Sequence, residues 1–282
     1  KMSKKGVIAC AGAAILWGLA PIMSKSLPLD GIGIAFYRLW FGAGTMTCLL
    51  LIRGGSFSIN NYRGYIALGL IMALNQSLFY SAIIYSNIAN VTVIHSLVVI
   101  PTLILAPRKL SGELIWRDVI WIIAAILGVA FVIYGSSMTP VWNLKGDILA
   151  AVGLFGTTAI FIVSKMNRQR SGVLEYLAPA MLLGAIAVTF LVALSGTALY
   201  LHSTNNVLIL LLFSIVDSSA LLLLNWAHGH IKLWVSAILM TLGPVVAASG
   251  AFFVLGEPIL AWQVLGIIMV IIAIRNIALA NS

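Results

Sequence analysis

The chain has 282 residues, of which 62% are hydrophobic and only 8% charged. A water-soluble domain carries about 25% charged residues. An apolar excess of this size cannot be hidden in one aqueous core, so the solvent that suits the chain is lipid. The formal charge of +9 comes from short basic clusters between apolar runs. That distribution reads as topology control and contact with anionic lipid, and no nucleic-acid motif accompanies it.

A helix crosses the hydrocarbon core in about 20 residues. Apolar runs of that length predict ten spans, near 6–26, 32–52, 64–86, 88–107, 117–135, 146–166, 176–198, 206–228, 231–255 and 259–276. The first run follows Lys1, Lys4 and Lys5, holds Trp17 and Pro21, and lacks a small-residue cleavage site. It therefore reads as a membrane span and not as a cleaved leader. Cys10 and Cys48 lie inside the first two runs as small hydrophobes, with no disulfide framework and no metal-ligand spacing.

Polar groups inside lipid are costly and face a cavity or the bundle interior. In the second span Arg38 either attracts an anionic group or snorkels to the interface. In the third, Asn75, Gln76, Tyr80 and Asn87 offer amides and a phenol, and Gln76, Tyr80 and Asn87 share one helical face. These groups either hold a zwitterionic solute or bond neighbouring helices. In the fourth, His95 is a proton-relay candidate or a packing residue, and Pro101 is a hinge candidate. In the eighth, Asp217 sits near mid-span, with Asn225 and His228 on the same face. It either binds an ammonium or exchanges a proton, or else it is a hydrogen-bonded structural carboxyl. The ninth span holds Trp234, Pro244 (the counterpart of Pro101) and the small residues Gly243 and Ala247, which permit close helix packing. Trp17, Tyr37, Trp226 and Trp234 are candidate aromatic walls, and Glu257 with Pro258 reads as an outer-turn cap.

With the N-terminus in the cytoplasm, the cytoplasmic segments hold Lys1, Lys4, Lys5, Arg53, Arg63, Arg108, Lys109, Arg117, Lys165, Arg168, Arg170, Lys232 and Arg275. Only Lys25, Arg38 and Lys145 remain of the 16 basic residues. This positive-inside bias predicts a multi-pass protein of the inner or plasma membrane with both termini cytoplasmic.

The two halves repeat. Gly6, Lys25, Phe36 and Gly44 recur as Gly146, Lys165, Tyr176 and Gly184 at an offset of 140, and Pro101 recurs as Pro244 at 143. The latter frame sets Asn75-Gln76 against Ser218-Ser219. Residues 1–140 and 141–282 are read as two five-helix repeats. An odd number of spans forces the second to enter the membrane from the opposite side, an arrangement common in secondary transporters.

Leu16-Trp17-Gly18, Phe36-Tyr37-Arg38, and Leu242-Gly243-Pro244 running to Leu255-Gly256-Glu257-Pro258, then Gln263 and Gly266, resemble the EamA-type repeat of the drug/metabolite transporter superfamily. The first-half copy departs at Ser111-Gly112-Glu113, with one extra residue, and Arg108-Lys109 interrupt its helix end. In the second half Thr157-Thr158 stand where Trp17-Gly18 would, and Ala178 where Arg38 would. The resemblance implies an all-α bundle of ten helices around a central substrate cavity, and export of amino acids, related metabolites or drugs as in bacterial relatives, or exchange of nucleotide sugars as in eukaryotic ones.

The expected function is therefore secondary transport, exporting a small amphipathic metabolite by alternating access, with proton coupling through His95 or Asp217. The alternative is export of cationic drugs or quaternary amines, held by Asp217 and the tryptophans. An enzyme or a scaffold ranks third, because the titratable residues are scattered. No Walker motif supplies ATP, and no cofactor or metal is expected. The expected partners are the small-molecule substrate and membrane lipids, with the chain a monomer or a homodimer.

Overall fold

The computed structural model describes residues 3–57, 61–86, 88–136, 143–201, 203–255 and 261–281. Asn87, Glu257 and Pro258 lie outside these. Thirteen α-helices account for the fold among the described residues: α1 (Lys4–Lys25), α2 (Gly31–Ile52), α3 (Tyr62–Tyr85), α4 (Ile88–Ser96), α5 (Val99–Leu105), α6 (Arg108–Ser111), α7 (Trp116–Ser136), α8 (Leu144–Arg168), α9 (Val173–Ser195), α10 (Thr204–Ala227), α11 (Leu233–Leu239), α12 (Leu242–Leu255) and α13 (Ala261–Asn281). Seven of them (α1, α2, α3, α8, α9, α10 and α13) are long and apolar enough to cross a membrane. Large side chains such as Ile8, Ile104, Phe190 and Leu194 are exposed. In water that would be a liability; against acyl chains it costs nothing.

Short polar residues start several helices by accepting an orphan N–H of the first turn. Asp30 accepts from the Gly33 N–H at 2.7 Å, Asn143 from Gly146 at 3.2 Å and Ser203 from Asn206 at 3.2 Å. Gly196, at φ +67°, closes α9 in the left-handed region.

Two expected spans are not continuous helices. The run near 88–107 breaks between α4 and α5, and the run at 231–255 breaks between α11 and α12. Pro101 and Pro244 are each the third residue of the later piece. A proline in a first turn removes an N–H that has no intrahelical partner anyway. Hydropathy does not register such breaks, because the residues at them remain apolar or small. The four-residue helix α6 falls in the segment read as an interrupted helix end.

The packing is reciprocal. The first helix of each half packs on the third of the other, α1 on α10 and α8 on α3. Likewise α1 packs on α12 and α8 on α4, while α2 pairs with α9 and α7 with α13. The polarity is reversed as well. The start of α1 meets the end of α10, where the Ser3 N–H donates to the His230 carbonyl at 3.3 Å. The end of α8 meets that same place, where Lys165 Nζ donates to the His228 carbonyl at 2.7 Å. The start of α8 lies against the end of α3, where Ser86 Oγ donates to Asp147 at 2.8 Å. So α1 begins where α8 ends.

Glycines bring the halves into backbone contact. A Cβ on Gly266 of α13 would stand 2.3 Å from the Gly128 carbonyl oxygen and 2.6 Å from the Val132 nitrogen of α7, both fixed backbone atoms. Gly266→Val is therefore expected to destabilise the protein by about 1–3 kcal/mol, the usual cost of overpacking. Gly44→Ala, with nothing within 4 Å and inside α2, is expected to hold stability or raise it slightly, alanine being the better helix former. Thermal unfolding in detergent measures both.

Candidate functional site

A central cavity of about 140 Å³ lies among α1, α2, α3, α4, α8, α10 and α12. One water needs about 10–15 Å³ on this measure, so the space suits a small solute and not a single water. Most of its wall is apolar, from residues such as Met72, Phe79, Ile160 and Phe161.

The charged part of the wall is an ion pair. The Arg38 guanidinium Nε donates to Asp217 Oδ2, and Trp17 Nε1 donates to Oδ1 at 2.8 Å. Arg38 is 3% exposed and Asp217 1%. The Arg38 guanidinium also lies over the Tyr80 ring, 5.6 Å from its centroid, and the Tyr80 ring meets Phe213 edge-on. Arg38 therefore does not snorkel. It is the eighth residue of α2 and is turned into the bundle, because its counter-charge sits on α10 rather than at the interface. Both oxygens of Asp217 have donors, which makes this carboxylate hydrogen-bonded and paired.

The other polar part is neutral. Asn75 Nδ2 donates to Thr157 Oγ1 at 3.2 Å, Thr157 Oγ1 donates to the Gly153 carbonyl at 3.1 Å, and His95 Nδ1 lies 3.4 Å from Thr157 Oγ1. The remaining polar atoms, Asn75 Oδ1 and His95 Nε2, are buried with no protein partner. Unpaired buried polar atoms are rare in native proteins and call for a ligand or a water. His95 is the penultimate residue of α4, at the helix break, and its ring packs edge-on against Phe79 with centroids 4.6 Å apart.

These two clusters are pseudo-equivalent. Trp17–Asp217 joins α1 to α10, and Thr157–Asn75 joins α8 to α3. Trp17 and Thr157 are 140 apart. Helices α3 and α10 start and end 142 apart, which matches Asn75 with Asp217 and not with Ser218. The proline-based frame was one residue off because it also crossed connections and short helices, α4 and α11, of unequal length.

Of the candidate site residues, Trp17, Arg38, Asn75, Gln76, Tyr80, His95, Asp217 and the hinge candidate Pro244 line this cavity. Asn225 and Trp234 are not among its lining residues. Asn225 is fully buried, accepting from Tyr176 Oη at 2.7 Å and donating to the Leu221 carbonyl at 2.8 Å. It shares a helical face with Asp217, but eight residues of α-helix carry it about 12 Å further along the axis. Trp234 is fully buried on α11, away from the hollow. Pro101 is buried on α5 and does not line it either.

Sequence reasoning passed over Thr157, Phe79, Phe161 and Pro21, all of which line the cavity. Pro21 has no N–H to give to the carbonyl of Trp17 four residues earlier, so that one helix bond is missing beside the cavity. A proline inside a membrane helix was the available signal. Thr157 carried none beyond its alignment with Trp17. Among the described residues, no group of His, Cys, Asp and Glu is arranged to hold a metal.

An all-helical bundle with seven membrane-length apolar helices, two broken ones and a central polar-and-apolar hollow defines a multi-pass membrane protein. The sequence profile of the EamA-like transporter family matches residues 4–134 and again 144–279, and the chain belongs to that family. No curated protein matches the sequence. One solved structure, described only as the crystal structure of a protein, superposes with a TM-score of 0.80 over 98% of this chain and 97% of its own, at 13% identity. At that identity it shares the fold.

Proposed function

We propose that the protein is a secondary carrier of ten membrane crossings that exports a small amphipathic metabolite, an amino acid or a related zwitterion, by alternating access. Both termini face the cytoplasm, in an inner or plasma membrane, as the basic-residue distribution argues. One observation carries the choice of solute: the cavity wall is apolar and net neutral, with its single carboxylate already paired, and it offers unfilled hydrogen-bonding atoms at Asn75 Oδ1 and His95 Nε2. An apolar side chain fits the greater part of that wall, and an amine or carboxyl group fits its polar patches.

The cationic-drug reading needs a free negative charge. Asp217 does not supply one while Arg38 and Trp17 hold it. Reversed, reciprocally packed halves support alternating access, because two near-equivalent halves can exchange arrangements at similar energy. Pro101 and Pro244, each just past a helix break, are the hinge positions in this scheme.

Counterflow in proteoliposomes tests the solute. Labelled neutral amino acids are expected to exchange and a lipophilic quaternary cation is not; movement of the cation alone overturns the reading. Proton coupling falls to His95, because Asp217 is engaged. An imposed pH gradient is expected to drive accumulation in the wild-type protein and not in His95→Gln, in which counterflow persists at weaker affinity because the glutamine amide keeps a hydrogen-bonding group in the wall. Accumulation that persists in His95→Gln removes His95 from the coupling path.

A further inference from the structure

A second and larger hollow lies at one end of the bundle, outside the transport cavity. It is a crevice of about 490 Å³ between the end of α2, the α8–α9 connection and the end of α10. Its floor is apolar: Leu50 and Leu174 are buried, and Leu222 and Leu223 are half-buried. Its rim is basic. Arg53 directly follows α2 and is exposed, and Arg168 is the last residue of α8.

Arg168 is positioned rather than loose. Its Nη1 donates to the Ser171 carbonyl at 3.3 Å, and its side chain lies against Gly229, where a Cβ would stand 2.9 Å from Nε. Arg168 Nε is buried and has no partner. Glu175 is the acidic residue of the lining, and its Oε2 accepts from the Gly172 N–H at 3.1 Å. With two arginines against one carboxylate the rim is net positive, and the start of α9 adds the positive end of a helix dipole. Trp226 completes the lining, stacked on His230 with centroids 3.9 Å apart. A tryptophan at the end of an apolar helix marks the headgroup level of a membrane.

We infer that this crevice is a binding site for one anionic phospholipid, its phosphate between Arg53 and Arg168 and an acyl chain along Leu50, Leu222 and Leu223. Charge complementarity chooses the headgroup, since a basic pocket between membrane helices at the interface selects anionic lipid. The apolar floor chooses lipid over free phosphate, which would use only the rim. The site is separate from the cavity, so it does not depend on which solute the protein carries.

The test is thermal unfolding of the detergent-purified full chain with added phosphatidylglycerol, phosphatidylcholine or inorganic phosphate, alongside native mass spectrometry of lipid retention. A ligand of the native state raises the unfolding midpoint by mass action. Phosphatidylglycerol is expected to raise it, and the other two are not. Each arginine replaced by glutamine is expected to weaken phosphatidylglycerol binding about fivefold, the worth of one basic side chain beside an anionic lipid surface. Arg53→Gln keeps the test interpretable if Arg168→Gln disturbs the α8–α9 connection, because Arg53 is exposed and its side chain supports no helix. Equal shifts with phosphatidylcholine, an equal shift with phosphate alone, or undiminished phosphatidylglycerol retention in Arg53→Gln would each overturn the assignment.

Discussion

Arg38→Met is expected to destabilise the folded protein by about 3–5 kcal/mol, and Asp217→Leu by a similar amount, because each leaves one charge buried without its partner. The double variant Arg38→Met/Asp217→Leu is expected to regain most of that loss. A buried pair gives back in attraction little more than its two charges lost in hydration, so an apolar replacement of similar volume is close to neutral. The coupling energy from the full cycle, measured by unfolding in detergent, is the quantity that decides. A value below about 1 kcal/mol is what a solvent-screened surface pair gives, and it would contradict the burial of Arg38 and Asp217 at 3% and 1% exposure. Transport by the folded double variant then separates structure from recognition. We expect it to fall at least about tenfold, because the wall loses its only charged patch and Trp17 Nε1 loses its acceptor.

Asn75→Leu is expected to do the reverse: stability held or raised, solute affinity weakened. Asn75 Oδ1 is a buried acceptor with no protein partner, and leaving such an atom unpaired costs about 1–3 kcal/mol. Leucine removes that cost. Thr157 loses the amide donor but keeps its own bond to the Gly153 carbonyl. A solute that fills the unpaired acceptor in the wild-type protein has nothing to donate to in the variant. A loss of about tenfold in apparent affinity follows from one hydrogen bond of about 1–1.5 kcal/mol. Unfolding in detergent and counterflow, run on the same preparation, check the two halves of this expectation. Lower stability with unchanged transport would assign Asn75 to helix packing. Sites tuned for binding commonly give up stability in this way.

The large features of the fold were legible because they depend on local composition. The ends of the expected spans fall within a few residues of helices such as α1, α2, α8 and α10, since hydropathy and length set them. The repeat was legible through Gly6 and Gly146, and the structure gives the reason: each starts a helix pressed against the end of a helix from the other half. A Cβ on Gly6 would meet His230 at 2.7 Å, and one on Gly146 would meet Ser86 at 2.6 Å. What stayed hidden was pairing. Arg38 and Asp217 are 179 residues apart, and nothing in either neighbourhood names the other, so each was weighed alone against water or lipid. Asn225 failed for a related reason. Helical phase tells which face a side chain occupies, but not how far along that face a cavity extends. The breaks in the fourth and ninth runs were signalled by Pro101 and Pro244, while the hydropathy around them argued for continuous spans.

The two halves are matched in backbone but not in charge. Arg38 meets Asp217 across the halves, whereas the second-half counterpart of Arg38 is an alanine at either offset, Ala178 or Ala180, and the pair equivalent to Trp17–Asp217 is the neutral Thr157–Asn75. Under alternating access, exchanging the roles of the halves therefore does not return the molecule to an equal-energy mirror of itself. In such a cycle one resting posture would be preferred, and half-saturation would differ between the two faces of the bilayer. Detailed balance still fixes where an uncoupled flux stops, at equal solute activity on both sides. The asymmetry sets how readily each compartment loads the carrier, and only a second gradient can make it concentrate its cargo.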